Sequence, residues 1–238
     1  MGKEKKFRLV MTMNKFKQYE QILIFDFETT GLDYKNDDVI ELGGLLLKNK
    51  NGKFEIVETL NLLVKTDKPL RPVIIGLTGI TDEILQKNGV DRKVLFDTLK
   101  RIYDVPSTLF MAYNIQFDIT FLNNLFIRYG FKEDFIFDRD VLDVMAMYRD
   151  FFGYPHKLDA AVASLEVEHE NTHRASDDCM ATWIAFQKMV KDYTEKRIDP
   201  YINKIGYIAK WGVNGIRMPQ VKYISQRGSG KEIINYAE

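Results

Sequence analysis

Three successive β-strand patterns near the start of the chain constrain its fold more than any other feature. The stretch QILIFDFE (21–28) is rich in β-branched and aromatic residues and apolar on both faces, which predicts a buried strand. VIELGGLLLKN (39–49) and FEIVETLNLLVK (54–65) predict two more strands, joined by the hairpin signal Asn51-Gly52. The core is therefore expected to begin with an antiparallel meander.

Helical patterns dominate the remainder of the chain. STLFMAYN (107–114) predicts one more buried strand, whereas KPLRPVIIGLTG (68–79) is predicted to be a loop because of Pro69 and Pro72. The predicted helices are 81–89, 91–103, 117–130, 140–152, 157–167 and 175–193. This order predicts a mixed sheet with helices packed on it, in an α/β or α+β arrangement.

Length and composition restrict the class of protein. With 238 residues, 45% of them hydrophobic, the chain is long enough for one good-sized domain with a small addition. No stretch approaches the roughly 18 consecutive apolar residues of a membrane span, and the N-terminus lacks the apolar region of a secretory signal. The single cysteine, Cys179, excludes an internal disulfide framework and a cysteine-rich zinc site. We therefore expect a reduced, cytoplasmic setting and no membrane partner.

Charge is unevenly distributed although the net charge is zero. Residues 1–20 carry six Lys/Arg and two Glu, and residues 193–238 carry eight Lys/Arg and four Asp/Glu. We predict a basic N-terminal segment (1–20), a main domain (21–192) and a small basic and aromatic C-terminal appendage (193–238) made of one helix and a hairpin. Basic ends around an acidic centre suit a polyanion held beside a cation site, but solvated termini are also often basic.

Two acids stand inside the first strand pattern. Side chains at positions i and i+2 of a strand share a face, so Asp26 and Glu28 point the same way. Like charges on a buried strand are costly unless something neutralises them, and carboxylate oxygens suit hard cations such as Mg²⁺ or Mn²⁺. The alternatives are an exposed strand end with solvated acids, or an acid paired with a lysine.

Further acids and a histidine could complete a site. Asp118 follows the strand 107–114 at a helix start, and Asp178 stands near another helix start. Each acid alone is equally explained by capping and the helix dipole. His173 precedes Asp178 by five residues and could accept a proton from water, although by itself a surface histidine is the simpler interpretation.

Taken together, FDFETTG, YNIQFD and HRASDD resemble the three motifs of the DEDDh 3′–5′ exonuclease superfamily. Its members include the proofreading epsilon subunits and exonuclease domains of bacterial replicative DNA polymerases. The motif order and the spacing of five between His173 and Asp178 agree, over about residues 20–190. The resemblance implies a ribonuclease H-like fold, with a five-stranded mixed sheet flanked by helices.

The resemblance also implies the roles of individual residues. The metal-binding carboxylates would be Asp26, Glu28, Asp118 and Asp178, with His173 as general base. Contacts to the terminal nucleotide would come from Thr29, Gly31, Tyr113 and Asn114. The implied cofactor is a pair of Mg²⁺ ions, for which Mn²⁺ could substitute.

The implied function is metal-dependent 3′–5′ hydrolysis of single-stranded DNA to nucleoside 5′-monophosphates by a two-metal-ion mechanism, in replication proofreading or repair. DNA is favoured over RNA as substrate, and a DNA polymerase subunit is a candidate partner. Two alternatives stay open: an RNA-trimming 3′–5′ exoribonuclease with the same chemistry, and a catalytically silent nucleic-acid-binding module.

Overall fold

The structure, a computed structural model, describes residues 11–12, 16–167, 174–194, 198–227 and 230–235. A mixed β-sheet carries helices on both of its faces, which confirms the predicted α/β architecture. In this part of the chain, no helix is both long enough and apolar enough to span a bilayer.

The strands of the described residues form two sheets. Their bounds are β1 Met11–Thr12, β2 Gln21–Thr29, β3 Val39–Lys50, β4 Lys53–Leu63, β5 Thr108–Ala112, β6 Val141–Asp143, β7 Lys204–Tyr207 and β8 Lys222–Ser225. The main sheet has the order β1-β4-β3-β2-β5-β6, and β7 pairs with β8. Strands β1 to β4 pair antiparallel, whereas β5 is parallel to both β2 and β6. The predicted five-stranded mixed sheet is thus confirmed as β2 to β6, with β1 added at one edge.

The helices cover the two faces of this sheet. Their bounds are α1 Pro72–Thr78, α2 Asp82–Asn88, α3 Arg92–Tyr103, α4 Ile115–Tyr129, α5 Val144–Phe151, α6 Leu158–Ser164, α7 Ala175–Met189 and α8 Glu232–Asn235. Helix α7 continues as a π-helix over Val190–Thr194, and a 3-10 turn spans Asp199–Tyr201.

The predicted hairpin turn of the antiparallel meander, at Asn51-Gly52, is confirmed. Asn51 and Gly52 have φ angles of 57° and 84°. Two consecutive positive φ angles characterise the two-residue turn that matches the twist of a hairpin, and Asn-Gly adopts it readily. The pairing of β3 with β4 accordingly continues to Lys50 and Lys53 on either side of the turn.

Two predictions about secondary structure in the main domain are wrong. The predicted loop at 68–79 contains helix α1, because Pro72 occupies the first helical turn, where no N–H is needed, and Gly79 ends the helix with a φ of 68°. The predicted helix at 140–152 begins with strand β6 and becomes helical only at Val144. A short buried strand cannot be distinguished from a buried helix by its apolar pattern alone.

Alternation along β2 directs its side chains into two separate cores. Phe25 packs on the face covered by α3 and α4. Ile22 and Ile24 pack on the opposite face, which α7 covers. Because alternate side chains share a face, Asp26 and Glu28 continue the row of the two isoleucines and face α7.

The C-terminal segment differs from the predicted hairpin. Strands β7 and β8 are parallel, so a long connection, residues 208–221, must carry the chain back between them. Ile205 and Met218 join the core on the α4 side, and Ile224 joins the core on the α7 side. The segment is therefore attached to both cores, and not only to the surface of one helix.

The residues before β2 are also attached to the core. Phe16 and Tyr19 are buried and pack in the same cluster as the α7 face of β2. The domain limits at 1–20, 21–192 and 193–238 stay predictions.

Asp150, on α5, ties the C-terminal segment to the rest of the molecule. Its carboxylate is buried and accepts hydrogen bonds from the Tyr201 hydroxyl at 2.9 Å and the Gln226 amide at 3.0 Å. It also accepts the backbone N–H groups of Ile233, at 3.1 Å, and Ile234, at 3.0 Å, at the start of α8. One ionised side chain thus holds three separate parts of the segment.

We expect Asp150→Ala to lower the free energy of unfolding by about 3 kcal/mol, because it leaves several buried donors without an acceptor. Urea denaturation followed by circular dichroism measures the change. The control is Asp97→Ala, which removes an exposed carboxylate paired with Lys93 one helical turn away. The control should change stability by less than about 0.5 kcal/mol. Equal losses in the two variants would show that the Asp150 network contributes no special stability.

Candidate active site

Two acids at the end of β2 form the centre of the candidate site. In the sheet register, Asp26 lies opposite Gly43 and Glu28 lies opposite Glu41. The pairing is irregular between Glu28 and Thr29, where a bulge bends the strand. Thr29 still pairs with Val39, so the chain leaves the sheet one residue after the second acid.

Asp178, in the first turns of α7, joins these two acids. One carboxylate oxygen from each of Asp26, Glu28 and Asp178 lies within 4.8 Å of the other two. Gly43 permits this approach, because a Cβ at that position would lie only 2.0 Å from the carbonyl carbon of Ala175. A larger residue would push the start of α7 away from the sheet.

An ion pair between β3 and the start of α7 holds the helix in this position. Glu41 is completely buried, and its Oε1 accepts hydrogen bonds from the Arg174 guanidinium at 3.0 and 2.6 Å. Its Oε2 accepts the Ala175 N–H at 3.4 Å. Since Arg174 directly precedes α7, this pair fixes the helix start, and Asp178 projects from the first turns after it.

Asp118 reaches the same strand from the first turn of α4. Its side chain is buried, and Oδ1 accepts the Phe27 N–H at 3.0 Å. Phe27 lies between Asp26 and Glu28, so Asp118 is attached to the backbone that carries both acids. The structure thus brings oxygens of three of the four predicted metal-binding carboxylates within 4.8 Å of one another. The fourth, Asp118, hydrogen-bonds to the backbone between two of them.

Burial and mutual repulsion raise the pKa values of Asp26, Glu28 and Asp118. The pKa of Asp26 lies well above its ordinary value, because of desolvation first and then repulsion from Asp118 and Glu28. The pKa of Glu28 rises to about 7, because of desolvation and then the charges of Asp178 and Glu41. A divalent cation would remove this repulsion, and oxygen donors are the ligands that Mg²⁺ and Mn²⁺ prefer. The donor set therefore fits such an ion.

The predicted general base, His173, lies outside the described residues, as does His169. Its role stays a prediction. The third histidine, His156, has its Nε2 3.1 Å from the Phe152 carbonyl oxygen and its ring against those of Tyr148 and Tyr154. These contacts assign His156 to packing near α5.

The loop after β2, predicted to contact the terminal nucleotide, is ordered by its own contacts. The Thr29 hydroxyl donates to the Gly31 carbonyl at 2.6 Å, and Arg71 donates to the Thr30 carbonyl at 2.8 Å. An added Cβ at Gly31 would lie 2.3 Å from a carboxylate oxygen of Asp37. The crowding atoms belong to the ends of the Asp37 and Arg71 side chains, which can shift, so packing alone does not require a glycine here. Nucleotide contact by Thr29 and Gly31 stays a prediction.

The other two predicted substrate contacts, Tyr113 and Asn114, follow β5 and have different surroundings. The Tyr113 hydroxyl donates to the His156 carbonyl at 2.8 Å, so it already has a structural partner. Asn114 has a φ of 71°, and its N–H donates to Asp143 Oδ1 at 3.1 Å. Asn114 lines a cavity together with Phe117. Nucleotide contact by Tyr113 and Asn114 stays a prediction.

Three residues that build the site were not predicted. Glu41 carries a readable signal, since it is an acid inside the apolar run VIELGG, as Asp26 is inside its own run. Arg174 belongs to the HRASDD motif, but its partner lies 133 positions away and nothing local identifies it. Asp143 holds the turn at Asn114 and also caps α5 by accepting the Met145 N–H at 3.1 Å.

We expect Glu28→Gln to stabilise the cation-free protein at alkaline pH. The pKa of Glu28, about 7, exceeds its ordinary value of 4.5, so the folded state binds the proton more tightly than the unfolded state. The stability from this group is complete below the unfolded value and is lost as pH rises through about 7. In EDTA, the free energy of unfolding of the wild type should therefore fall by about 2–3 kcal/mol between about pH 5 and pH 8. The variant should not show this loss.

Urea denaturation at both pH values tests this expectation, with the exposed Glu133→Gln as control. Addition of Mg²⁺ should stabilise the wild type more than Glu28→Gln, because this carboxylate is predicted to be one of the ligands through which the ion binds the native state. Parallel pH profiles for the wild type and Glu28→Gln would contradict the raised pKa.

We expect Arg174→Gln to destabilise the protein by about 2 kcal/mol, because it leaves the buried charge of Glu41 without its counter-ion. The loss should stay below that for a fully buried pair, since the Arg174 side chain is 41% exposed. The double variant Glu41→Gln/Arg174→Gln should recover part of the loss. Unfolding of all four proteins gives the coupling energy, and a value below about 0.5 kcal/mol would show that this pair does not fix α7.

A family model described as Exonuclease, RNase_T, matches residues 23–186. The matched range includes all three sequence motifs and the four acids described above. It also includes Glu41 and Arg174, which position α7.

The chain is also similar to parts of named proteins. It is 35% identical over 182 residues to DNA polymerase III PolC-type of Halalkalibacterium halodurans and 33% identical over 184 residues to that of Bacillus subtilis. Each alignment covers 75% of this chain, which spans only 12% of the length of these curated relatives.

Solved structures share the fold. E. coli Exonuclease I in complex with a dT13 oligonucleotide has a TM-score of 0.63 at 22% identity, covering 76% of this chain and 43% of that chain. A zinc-bound form of the E. coli ExoI–ssDNA complex has a TM-score of 0.63 at 23% identity, covering 76% and 42%. This likeness confirms the predicted ribonuclease H-like fold. Together with its three motifs, the family match establishes that the chain belongs to the RNase_T exonuclease family, among the DEDD-type 3′–5′ exonucleases.

Proposed function

We propose that this chain is a divalent-cation-dependent 3′–5′ exonuclease that shortens single-stranded DNA. The observation that carries the proposal is the convergence of Asp26, Glu28 and Asp178 within 4.8 Å in a member of an exonuclease family. Three carboxylates held this closely by the fold repel one another unless cations bind them. Such a cluster can hold the divalent cations that act in metal-dependent phosphodiester hydrolysis.

The names of similar proteins support DNA as the substrate. The relatives are PolC-type DNA polymerases III, and the Exonuclease I structures contain a dT13 oligonucleotide and single-stranded DNA. We propose by analogy that this chain acts on a DNA 3′ end in proofreading or repair, with a DNA polymerase subunit as a candidate partner.

Each predicted residue has a proposed task. Asp26, Glu28 and Asp178 would hold the cations, and Asp118 would complete the set while it positions the strand through the Phe27 N–H. Bound Mg²⁺ or Mn²⁺ supplies electrostatic stabilisation of the reacting phosphate and activation of water. Two ions are proposed, by the resemblance to the superfamily.

The remaining chemistry belongs to side chains of this chain. His173 is proposed to take the proton of the attacking water. The water oxygen forms a bond to phosphorus, the bond between phosphorus and the 3′-oxygen breaks, and the leaving 3′-oxygen takes a proton from solvent. The products are a nucleoside 5′-monophosphate and a strand shorter by one nucleotide. Thr29, Gly31, Tyr113 and Asn114 are proposed to shape the pocket of the departing nucleotide.

The decisive experiment uses matched DNA and RNA single strands labelled at the 5′ end. With Mg²⁺ we expect a ladder of progressively shorter DNA, which is absent in EDTA. Asp26→Asn should slow the reaction by about 10³-fold or more, since it weakens cation binding at the reacting phosphate. His173→Gln should reduce kcat by about 10²- to 10⁴-fold without abolishing cation binding.

The control Asp97→Asn lies on the exposed face of α3 and should cut like the wild type. A ladder on RNA alone would replace the DNA proposal with an RNA-trimming activity. Binding of both strands without any ladder in Mg²⁺ or Mn²⁺ would contradict the enzyme proposal and favour a binding module.

A further inference from the structure

A cavity of about 240 Å³ lies between the start of α4 and the C-terminal segment. Tyr34 and Phe117 line one side, and Arg149 and Trp211 line the other. Trp211 lies outside residues 23–186, the range of the family match, whereas Arg149 lies within it. Part of the cavity wall is therefore formed by residues beyond the range of the family match.

The wall formed by the C-terminal segment is held firmly against α4. The Gln116 amide donates to the carbonyls of Asn214, at 2.9 Å, and Ile216, at 2.6 Å. Gly215, with a φ of 86°, lies so close to Thr120 that an added Cβ would be 2.2 Å from its hydroxyl oxygen. The position of Trp211 relative to α4 is thus set by the fold.

Trp211 has the properties of a side chain that binds an aromatic ligand by stacking. Its ring is 69% exposed, whereas Trp183, in the core, is 1% exposed. The Lys210 ammonium lies 4.8 Å from the centre of the Trp211 ring. An exposed indole beside a cation is the combination that stacks on a base and attracts the adjoining phosphate.

Arg149 adds a positive charge that no carboxylate of the described residues contacts within 4 Å. Its guanidinium lies 3.4 Å from the Gly206 carbonyl and 3.3 Å from the Met145 sulfur, and its Nε is buried without a hydrogen-bond partner. Its charge acts on Asp143, but among the described residues no ion pair involves Arg149 at 4 Å or less. The described residues that line the cavity include no Asp or Glu. The lining therefore favours an anion.

The cavity adjoins the predicted site of the terminal nucleotide. Asn114 belongs to both, and the exposed Leu32, which follows Gly31, forms part of the rim. Phe117 precedes the carboxylate of Asp118 by one residue. If the last nucleotide of a DNA strand lies at the carboxylates, the nucleotide before it would therefore lie at this cavity.

We propose that this cavity binds the penultimate nucleotide of a single-stranded DNA substrate, with its base against Trp211 and its phosphate near Arg149 and Lys210. The volume suits one base, since pockets for complete drug-sized ligands measure about 300–1,000 Å³. The assignment rests on the proposed function, because it takes the 3′ end to lie at the carboxylates.

Intrinsic fluorescence tests the proposal with the catalytically impaired Asp26→Asn protein in EDTA, so that no strand is cut. Oligothymidylates from a dinucleotide to a hexanucleotide should quench the exposed Trp211, and Trp211→Phe should abolish the change because Trp183 is buried. Trp211→Ala should weaken dinucleotide binding by about 5- to 100-fold, measured by calorimetry. Binding of thymidine 5′-monophosphate should not change, because a mononucleotide occupies only the terminal site.

Two further variants separate the loss of a contact in the cavity from a general loss of DNA binding. Arg149→Met should reduce the salt dependence of oligonucleotide binding by about 0.7 in logarithmic slope, as expected for one lost phosphate contact. Tyr154→Ala removes an aromatic residue outside the cavity that is more exposed than Trp211, and it should bind every ligand like the wild type.

Equal binding of dinucleotides and hexanucleotides by Trp211→Ala and the unsubstituted protein would overturn the proposal while leaving the exonuclease activity intact. Quenching by oligouridylates but not by oligothymidylates would also overturn it, in favour of RNA. Failure of the proposed function has a different signature, since the wild type with Mg²⁺ would then cut no strand.

Discussion

The ion pair between Glu41 and Arg174 is the interaction on which the candidate site depends. Helix α7 carries Asp178, and this carboxylate meets Asp26 and Glu28 only if the helix begins directly against β3. Gly43 provides the space for that contact, and the ion pair of the buried Glu41 with the half-exposed Arg174 provides the attachment. Such a pair is a weak source of net stability but a strong determinant of position, because the buried carboxylate alone would be costly. Two strands and one helix thereby act as a single rigid support for charges that repel one another.

That repulsion explains why the site and the fold are energetically connected. Desolvation and neighbouring charges raise the pKa values of Asp26 and Glu28, so the cation-free protein holds its acids under strain at neutral pH. The alternation of β2 confines the strain to one face, while Phe25 and its neighbours stabilise the sheet from the other face. A divalent cation would convert the same cluster from a destabilising feature into a stabilising one. Stability and cation binding are therefore expected to vary together.

The C-terminal segment serves both stability and surface shape. Asp150 and Gln116 attach it to α5 and α4 through hydrogen bonds that span 51 to 100 positions of sequence. Because the segment is fixed on the helix that carries Asp118, its exposed Trp211 lies across a cavity from Phe117. A short parallel pair of strands is too small to be stable by itself, and it persists here because Ile205 and Ile224 enter the two cores of the main domain. The added segment thus extends the surface near the site without requiring a core of its own.

The sequence by itself determined the meander, most helices, the ordered acids and the family, because each of these follows from local periodicity or from residues a few positions apart. The acids at positions 26 and 28 and the Asn51-Gly52 turn are examples in which strand geometry leaves little choice. Sequence reasoning failed where the outcome depended on distant partners. It placed a loop at α1, merged β6 into a helix and expected a hairpin at β7 and β8, since short apolar segments take the structure that their neighbours allow. Only the tertiary structure decided that Glu41 neutralises Arg174, that Asp118 holds the Phe27 N–H, and that Trp211 faces α4. These contacts join residues up to 133 positions apart, and no local pattern encodes a contact over that distance.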